Sequence, residues 1–445
     1  MTVNFTFDQA KCTGCQACIL ACTIENGLAF DQSWRTVYTY NERHYPTLPV
    51  QHLSLSCNHC EHAACLDACP ANAYSINNDT GFVEFDETKC IGCRYCTWAC
   101  PFGAPRFDGS KGVVGKCTFC SDRQKAGSQP ACVELCPTGA LGVDVQEEEG
   151  RQPKVPGFPI TSLEPAITIT PANENRTFTE NTEPQPGKPF VPERMYGAMG
   201  PTLRTEWPLI SFTFMVPVLV GVLSASVFTA HRPSPWVFIG ISALAALVST
   251  AHLGKKARAW RAVLNPGSSW LSREVSLFGA LAVCGTVYFT FAPSITPIAW
   301  AALAIGFATL ISVDRVYETL PLIEPRRYHS ANAILTGLFY VGVLTLNPLV
   351  AGAIGLGKFL LYVKRKIEFR RLGKPSRPTL SAIRIVIGFL VPTLAWIFVG
   401  GEVFPIVIAT ILLGELIDRT EFYAELDFVT PEKQVAIDLQ RAISA

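Results

Sequence analysis

The sequence predicts two unlike parts in one chain: an α+β domain built around cysteines, then an all-α polytopic membrane domain of about eight helices. Three observations predict this. Sixteen of the 17 Cys lie between Cys12 and Cys136, and only Cys284 falls outside that stretch. Every long uncharged run lies after Glu206. Mean hydropathy is +0.26 and charged residues make up 16%, where a soluble domain holds roughly 25%. A net charge of +1 gives no general attraction to nucleic acid. An apolar fraction of 49% excludes disorder for most of the chain.

The expected parts are residues 1–142 for the cysteine domain, 143–205 for an extended Pro-rich tail, 206–420 for the membrane domain and 421–445 for a cytoplasmic C-terminal tail. The first twelve residues lack a basic stretch leading into an apolar one, and carry no twin-arginine pair. An uncleaved cytosolic start is therefore expected, and in a reducing compartment so many Cys point to metal rather than disulfides.

The cysteines form four repeated groups. The first is Cys12, Cys15, Cys18 and Cys22; the second is Cys57, Cys60, Cys65 and Cys69. The third is Cys90, Cys93, Cys96 and Cys100; the fourth is Cys117, Cys120, Cys132 and Cys136. Short strand-like pieces such as Gly81–Phe85 lie between them. Groups one and three have the bacterial-ferredoxin spacing for [4Fe–4S] clusters, in which a tight loop gives three thiolates to one cube and the fourth Cys ligates a neighbouring cube. Zinc ribbons use CxxC pairs but have no need of three Cys in seven residues plus a fourth before Pro. Four groups predict a tandem ferredoxin-like domain with four [4Fe–4S] clusters. A nested pairing joins groups one and four, and groups two and three. Cys12, Cys15, Cys18 and Cys136 then hold one cluster, and Cys22, Cys117, Cys120 and Cys132 a second. Cys57, Cys60, Cys65 and Cys100 hold a third, and Cys69, Cys90, Cys93 and Cys96 the fourth. Such a ladder moves single electrons and makes no bonds.

Residues 143–201 hold ten Pro and no lasting helical or strand period. They read as a tether, or as a segment that lies along a partner through pieces such as Pro165–Pro171. Beyond them, Trp207–Ala230 is uncharged for 24 residues, enough to span about 30 Å of hydrocarbon. Trp236–Gly254 is the second span. Val275–Val313, broken by Pro293 and Pro297, gives the third and fourth. Ser330–Gly357, broken at Asn347-Pro348, gives the fifth and sixth. Ile385–Gly401 and the short Val403–Gly414 complete eight.

With eight crossings, the loops on the N-terminal side carry five Lys and Arg between spans two and three, three between spans four and five, and eight between spans six and seven. The opposite side has Arg232 alone. The positive-inside rule places the crowded side, and the cysteine domain with it, in the cytoplasm, at the bacterial inner membrane. Lys358 is expected to snorkel toward those charges, and Glu415 to pair with Arg419 one turn on.

Cys57-Asn-His-Cys60, Cys90–Cys96 and Cys100-Pro-Phe-Gly-Ala-Pro105 resemble the electron-transfer subunit of dimethyl sulfoxide reductase, as does the tail Ile167–Arg176. Glu206–Leu209, His252-Leu-Gly254, Arg315-Val-Tyr317 and Gly414–Ile417 with Arg419 resemble the anchor subunit of the same molybdopterin oxidoreductase family. The family usually has these as two chains. The resemblance implies a separate catalytic subunit carrying molybdopterin, since nothing in this chain would house it, and a quinone (menaquinone or ubiquinone) as exchangeable electron carrier. The chain itself is then non-catalytic for the terminal substrate. The candidate quinone residues are His252, Glu274, Arg315, Tyr317 and Glu415, ionisable groups at span ends on one side; the family's matching His is associated with quinol binding. The alternatives are a cytoplasm-facing sulfite dehydrogenase that delivers electrons to quinone, and a redox-driven ion-transport module.

Overall fold

The computed structural model describes residues 2–29, 32–46, 48–146, 153–172, 202–229, 233–291, 296–323, 329–371, 377–398 and 404–444. The chain divides into two units. The first holds residues 1–198 and 428–445; the second holds residues 199–427.

In the first unit, β1 (Thr2–Asp8) is the middle of a three-stranded sheet. It runs antiparallel to β8 (Leu141–Gln146), with Phe7 opposite Leu141, and parallel to β9 (Ile167–Thr170), with Phe5 opposite Ile167. Between β1 and β8 come α1 (Ala17–Glu25), the hairpin β2–β3 (Thr36–Tyr40, Gln51–Leu55), α2 (Ala64–Ala68), the hairpin β4–β5 (Tyr74–Ile76, Val83–Phe85), α3 (Tyr95–Ala99), the hairpin β6–β7 (Arg106–Asp108, Val113–Gly115), α4 (Ser121–Lys125) and α5 (Ala131–Glu134). Each cysteine group thus sits on a loop entering a short helix. A stack of Phe5 on Phe119 (4.1 Å) and Phe119 on Phe82 (4.4 Å) fills the centre, each ring gaining about 1.5–3 kcal/mol from burial.

Part of the Pro-rich stretch is therefore sheet. Its alternating Ile167 and Ile169 turn inward and pair with β1 of the same chain. Residues 173–201 lie outside the described residues. A last helix, Pro431–Ser444, also belongs to this unit. Phe428 stacks on Trp98, and Asp438 accepts the Gly157 N–H at 2.8 Å. Gly157 has φ +83, and a Cβ there would meet Val435 at 2.2 Å, so only glycine fits.

In the second unit, α6 (Leu203–Phe228) begins with a capping box between Thr202 and Thr205. It packs against α7 (Pro235–Ala251), α9 (Thr296–Glu318), α10 (Ala333–Leu344) and α14 (Phe404–Ala424). α8 (Trp270–Phe291) packs on α9, and α11 (Pro348–Arg371) on α10. α12 (Pro378–Ile385) passes through a π-helical turn, Val386–Leu390, into α13 (Val391–Phe398). Each of the eight expected segments contains helix where described, though parts of them, such as Leu253, Gly254 and residues 330–332 and 345–347, are not helical. Among the described residues, four helices are long and apolar enough to cross a membrane, or five if α7 and the bent segment after it count as one span. α10 is apolar but has only 12 residues. α11 and α14 carry charges within their length. The protein is an integral membrane protein with a helical C-terminal region.

Candidate electron-transfer sites

The four cysteine groups share one local geometry. The residue before the second Cys of each group has a left-handed backbone: Gly14 (φ 70), His59 (φ 44), Gly92 (φ 71) and Phe119 (φ 58). This turn directs backbone N–H groups at sulfur, from Gly92 to Cys90 Sγ at 3.3 Å and from Phe119 to Cys117 Sγ at 3.4 Å. After each Cys-Pro a second left-handed residue follows, Asn72, Gly103 or Gly139. Glycine at 14, 92, 103 and 139 is readable in the sequence; His59 and Phe119 adopt the same turn at a cost of about 1–3 kcal/mol each.

The fold gathers thiols from different groups. Cys12, Cys15, Cys18 and Cys136 line one pocket. Cys57, Cys60, Cys65 and Cys100 line another. Cys69 and Cys90 act electrostatically on Cys93 and Cys96. Cys117 and Cys132 act on both Cys22 and Cys120. Thiols of groups one and four, and of groups two and three, thus lie near one another. These gatherings also follow one another in space. Cys18 feels Cys132, Cys117 feels Cys57, and Tyr74 feels both Cys65 and Cys96. Four thiols spaced around a cavity, with N–H donors aimed at sulfur, fit a cube. Burial pushes Cys22 and Cys93 up to about 12 and Cys100 and Cys120 up to about 11. Cluster loading must therefore release their protons.

Buried charge accompanies the thiols, and no sequence motif announces it. Arg35 and Lys116 are each 2% exposed. Lys116 Nζ donates to the carbonyls of Val83 and, at 3.0 Å, Cys117. His59 Nδ1 accepts the Val83 N–H, and burial holds this imidazole well below its ordinary range.

In the helical unit, Tyr317 lines a partly open pocket with Asp314, Asn332, Arg419, Phe422 and Glu425. Arg419 donates to Thr213 Oγ1 at 2.8 Å and to the Ala331 carbonyl at 2.7 Å. Tyr317 is hydrogen-bonded to Tyr423. Glu274 is buried and faces the charges of Arg419 and Asp314. Asp314 caps α10 by accepting the Ala333 and Ile334 N–H groups. The structure therefore brings Glu274 and Tyr317 together around Arg419. Arg315 points away, 46% exposed and paired with Glu318 at 3.0 Å. His252 is the C-cap of α7.

Glu415 belongs elsewhere, and the structure corrects three sequence expectations around it. It pairs with Lys358 (3.0 Å) and Arg384 (2.7 Å), while Arg419 turns to Thr213. Lys358 does not snorkel; its side chain is fully buried. Arg365 and Arg384, counted among loop charges, are buried too. Arg365 pairs with Asp418 at 3.1 Å and Glu421 at 3.4 Å, and Lys366 bridges Glu421 and Glu425 at 2.8 Å each. An ionic ladder thus joins α11, α12 and α14. Of the remaining charges in the topology count, Arg232, Arg326, Arg327 and Lys374 lie outside the described residues.

Two family models match the chain: a 4Fe-4S dicluster domain over residues 48–146, and the DMSO reductase anchor subunit (DmsC) over residues 202–354. The sequence is 38% identical over 197 residues to an anaerobic dimethyl sulfoxide reductase chain of Escherichia coli (strain K12), covering 41% of this chain and 96% of that one. It is 35% identical over 224 residues to a putative dimethyl sulfoxide reductase iron-sulfur subunit of Halobacterium salinarum, covering 43% and 84%. It is 40% identical over 137 residues to the thiosulfate reductase electron transfer subunit PhsB of Salmonella typhi, covering 30% and 71%. This chain is a member of the dimethyl sulfoxide reductase family and joins its iron–sulfur electron-transfer subunit and its membrane anchor subunit in one polypeptide.

Proposed function

We propose that this chain passes electrons between membrane quinone and a separate molybdopterin-containing catalytic subunit, through four [4Fe–4S] clusters held by its sixteen N-terminal cysteines. The observation that supports this reading is that the fold gathers thiols from different cysteine groups, in a chain that also matches the anchor subunit. The clusters supply one-electron carriage. The chain's own residues space them, exclude water and aim N–H groups at sulfur. Support for the partner comes from the relatives, which are named as reductase chains or electron-transfer subunits.

Oxidation of one quinol releases two electrons and two protons. The cavity beside Tyr317 offers Arg419 and Tyr317 to hold a quinol oxygen, and Glu274, which feels the Arg419 charge, to receive a proton; His252, the C-cap of α7, is kept as a second base on the family resemblance. Arg315 and Glu415 fall outside this reading on their exposure and ion pairing. Eight crossings with the cluster domain on the cytoplasmic side remain the topology proposed, because the basic loop residues other than Arg365 and Arg384 still favour one side.

Metal analysis of the full chain, extracted gently with its companions, tests the whole reading. About sixteen irons per chain are expected from four cubanes, with molybdenum or tungsten in near-equal amount to a large second chain. Iron without either heavy metal would assign the chain to another redox partner.

A further inference from the structure

Arg35 precedes β2 and is wholly enclosed. Its Nη1 donates to the Ser54 carbonyl at 3.3 Å and to Ser54 Oγ at 3.1 Å, and its Nη2 donates to Ser56 Oγ at 2.9 Å. The guanidinium lies over the Phe5 ring at 4.7 Å. None of these partners carries charge, and among the described residues no carboxylate pairs with Arg35. A guanidinium cannot shed its proton, and a buried cation without a counter-charge is strongly unfavourable. The negative groups that act on it are sulfur: Cys132, Cys18, Cys117 and Cys22. Ser54 Oγ also lies 3.5 Å from Cys18 Sγ, placing that hydroxyl between cation and thiolate.

Those sulfurs belong to two sets. Cys18 is of the set with Cys12, Cys15 and Cys136; Cys22, Cys117 and Cys132 are of the next. We infer that Arg35 is a shared counter-charge for these two iron–sulfur clusters and raises the reduction potential of both. This rests on the four-cluster assignment proposed above. Reducing a cube adds one electron and one negative charge to it, with no bond made or broken and no proton taken from Arg35. A fixed positive charge in a dry interior stabilises that added charge. It therefore biases both cubes toward their reduced forms. The set of Cys69, Cys90, Cys93 and Cys96 has Tyr74 beside it instead, a neutral group.

The test is redox titration of the purified complex, following each cluster by electron paramagnetic resonance. Iron content and the number of reducible clusters report on the four-cluster assignment; midpoint potentials report on Arg35. In Arg35→Gln, iron content is expected to hold and two of the four clusters to become at least tenfold harder to reduce, about 59 mV for a one-electron couple. The other two stay put, and Arg35→Lys restores most of the shift. Four unmoved midpoints at full iron content would overturn the inference. So would an equal shift in Arg35→Lys, which would make the effect one of shape rather than charge. Should Arg35→Gln fail to load, Ser56→Asp places a carboxylate beside Nη2 and neutralises the cation in place. The same two midpoints must then fall, and their constancy would overturn the inference equally.

Discussion

The two units handle buried positive charge in opposite ways. In the cluster unit, Arg35 and Lys116 are enclosed among hydroxyls, carbonyls and thiols, without a carboxylate partner among the described residues. In the helical unit, Lys358, Arg384 and Arg365 are just as enclosed, yet each meets carboxylates at 3.0, 2.7 and 3.1 Å. The first arrangement leaves its balance to whatever negative charge the thiol sets carry. The second is balanced by its own side chains. Buried charge in the first unit thus bears on electron affinity, and in the second on helix packing.

The sharpest way to break that contrast is Glu415→Gln. It leaves Lys358 and Arg384 enclosed with too little negative charge, and removing one partner of a buried pair costs about 3–5 kcal/mol. Thermal unfolding in detergent should show a loss of that order, with iron content and cluster potentials unchanged. Adding Lys358→Met should recover part of it. The approach of Gly388 to Gly414, where a Cβ at 388 would meet the facing Cα at 2.9 Å, shows how little slack this junction has. Unaltered unfolding in Glu415→Gln would mean that water or lipid, and not Glu415, balances these cations.

A smaller effect is expected at the cavity beside Tyr317. Glu274→Gln keeps the side-chain shape but removes a proton acceptor, and loss of a general base lowers rates by about 10²-fold or more. Quinol-linked turnover should fall by that factor while all cluster signals persist. His252→Ala is expected to act in the same direction. Full quinol turnover in Glu274→Gln would move the quinone site away from Arg419.

Sequence reading serves the two units unequally, for a physical reason. Cluster ligands lie on tight loops, so Cys12-x2-Cys15-x2-Cys18 announces itself within seven residues. The family resemblance over His252, Tyr317 and Arg419 is legible in the same way. Pairings made across the fold are not. The strand Ile167–Thr170 alternates β-branched Ile and Thr, a local strand signal, but its parallel partner β1 lies far away in the sequence and is not legible there. Arg35 carries no signal at all, because Ser54 and Ser56 come from the far side of its hairpin. The sequence around Lys358 suggests lipid surroundings, where a long side chain reaches for water, whereas the fold supplies Glu415 from a distant helix. A one-turn rule likewise pairs Glu415 with Arg419, and two stronger partners from α11 and α12 displace it.

The smallest expected effect concerns the C-terminal helix seated on the cluster unit. Asp438 accepts the Gly157 N–H and the Gln434 amide, each at 2.8 Å, and burial raises its carboxyl above the ordinary value. A carboxyl whose folded pKa lies above its unfolded one favours folding while protonated. That contribution is fully present below the unfolded pKa and is lost as pH rises through the folded one. Protection of the Gly157 amide from hydrogen exchange, corrected for the intrinsic rate, should therefore weaken as pH climbs past the carboxylate range. Asp438→Asn keeps an acceptor for Gly157 and has no charge to bury, so its corrected protection should be flat with pH. At neutral pH the two proteins should differ by about 1 kcal/mol or less, the net scale of one hydrogen bond. If wild type and Asp438→Asn follow the same pH profile, the Asp438 carboxyl does not set how firmly this helix is seated, and contacts such as those of Val435 and Phe428 carry its hold instead.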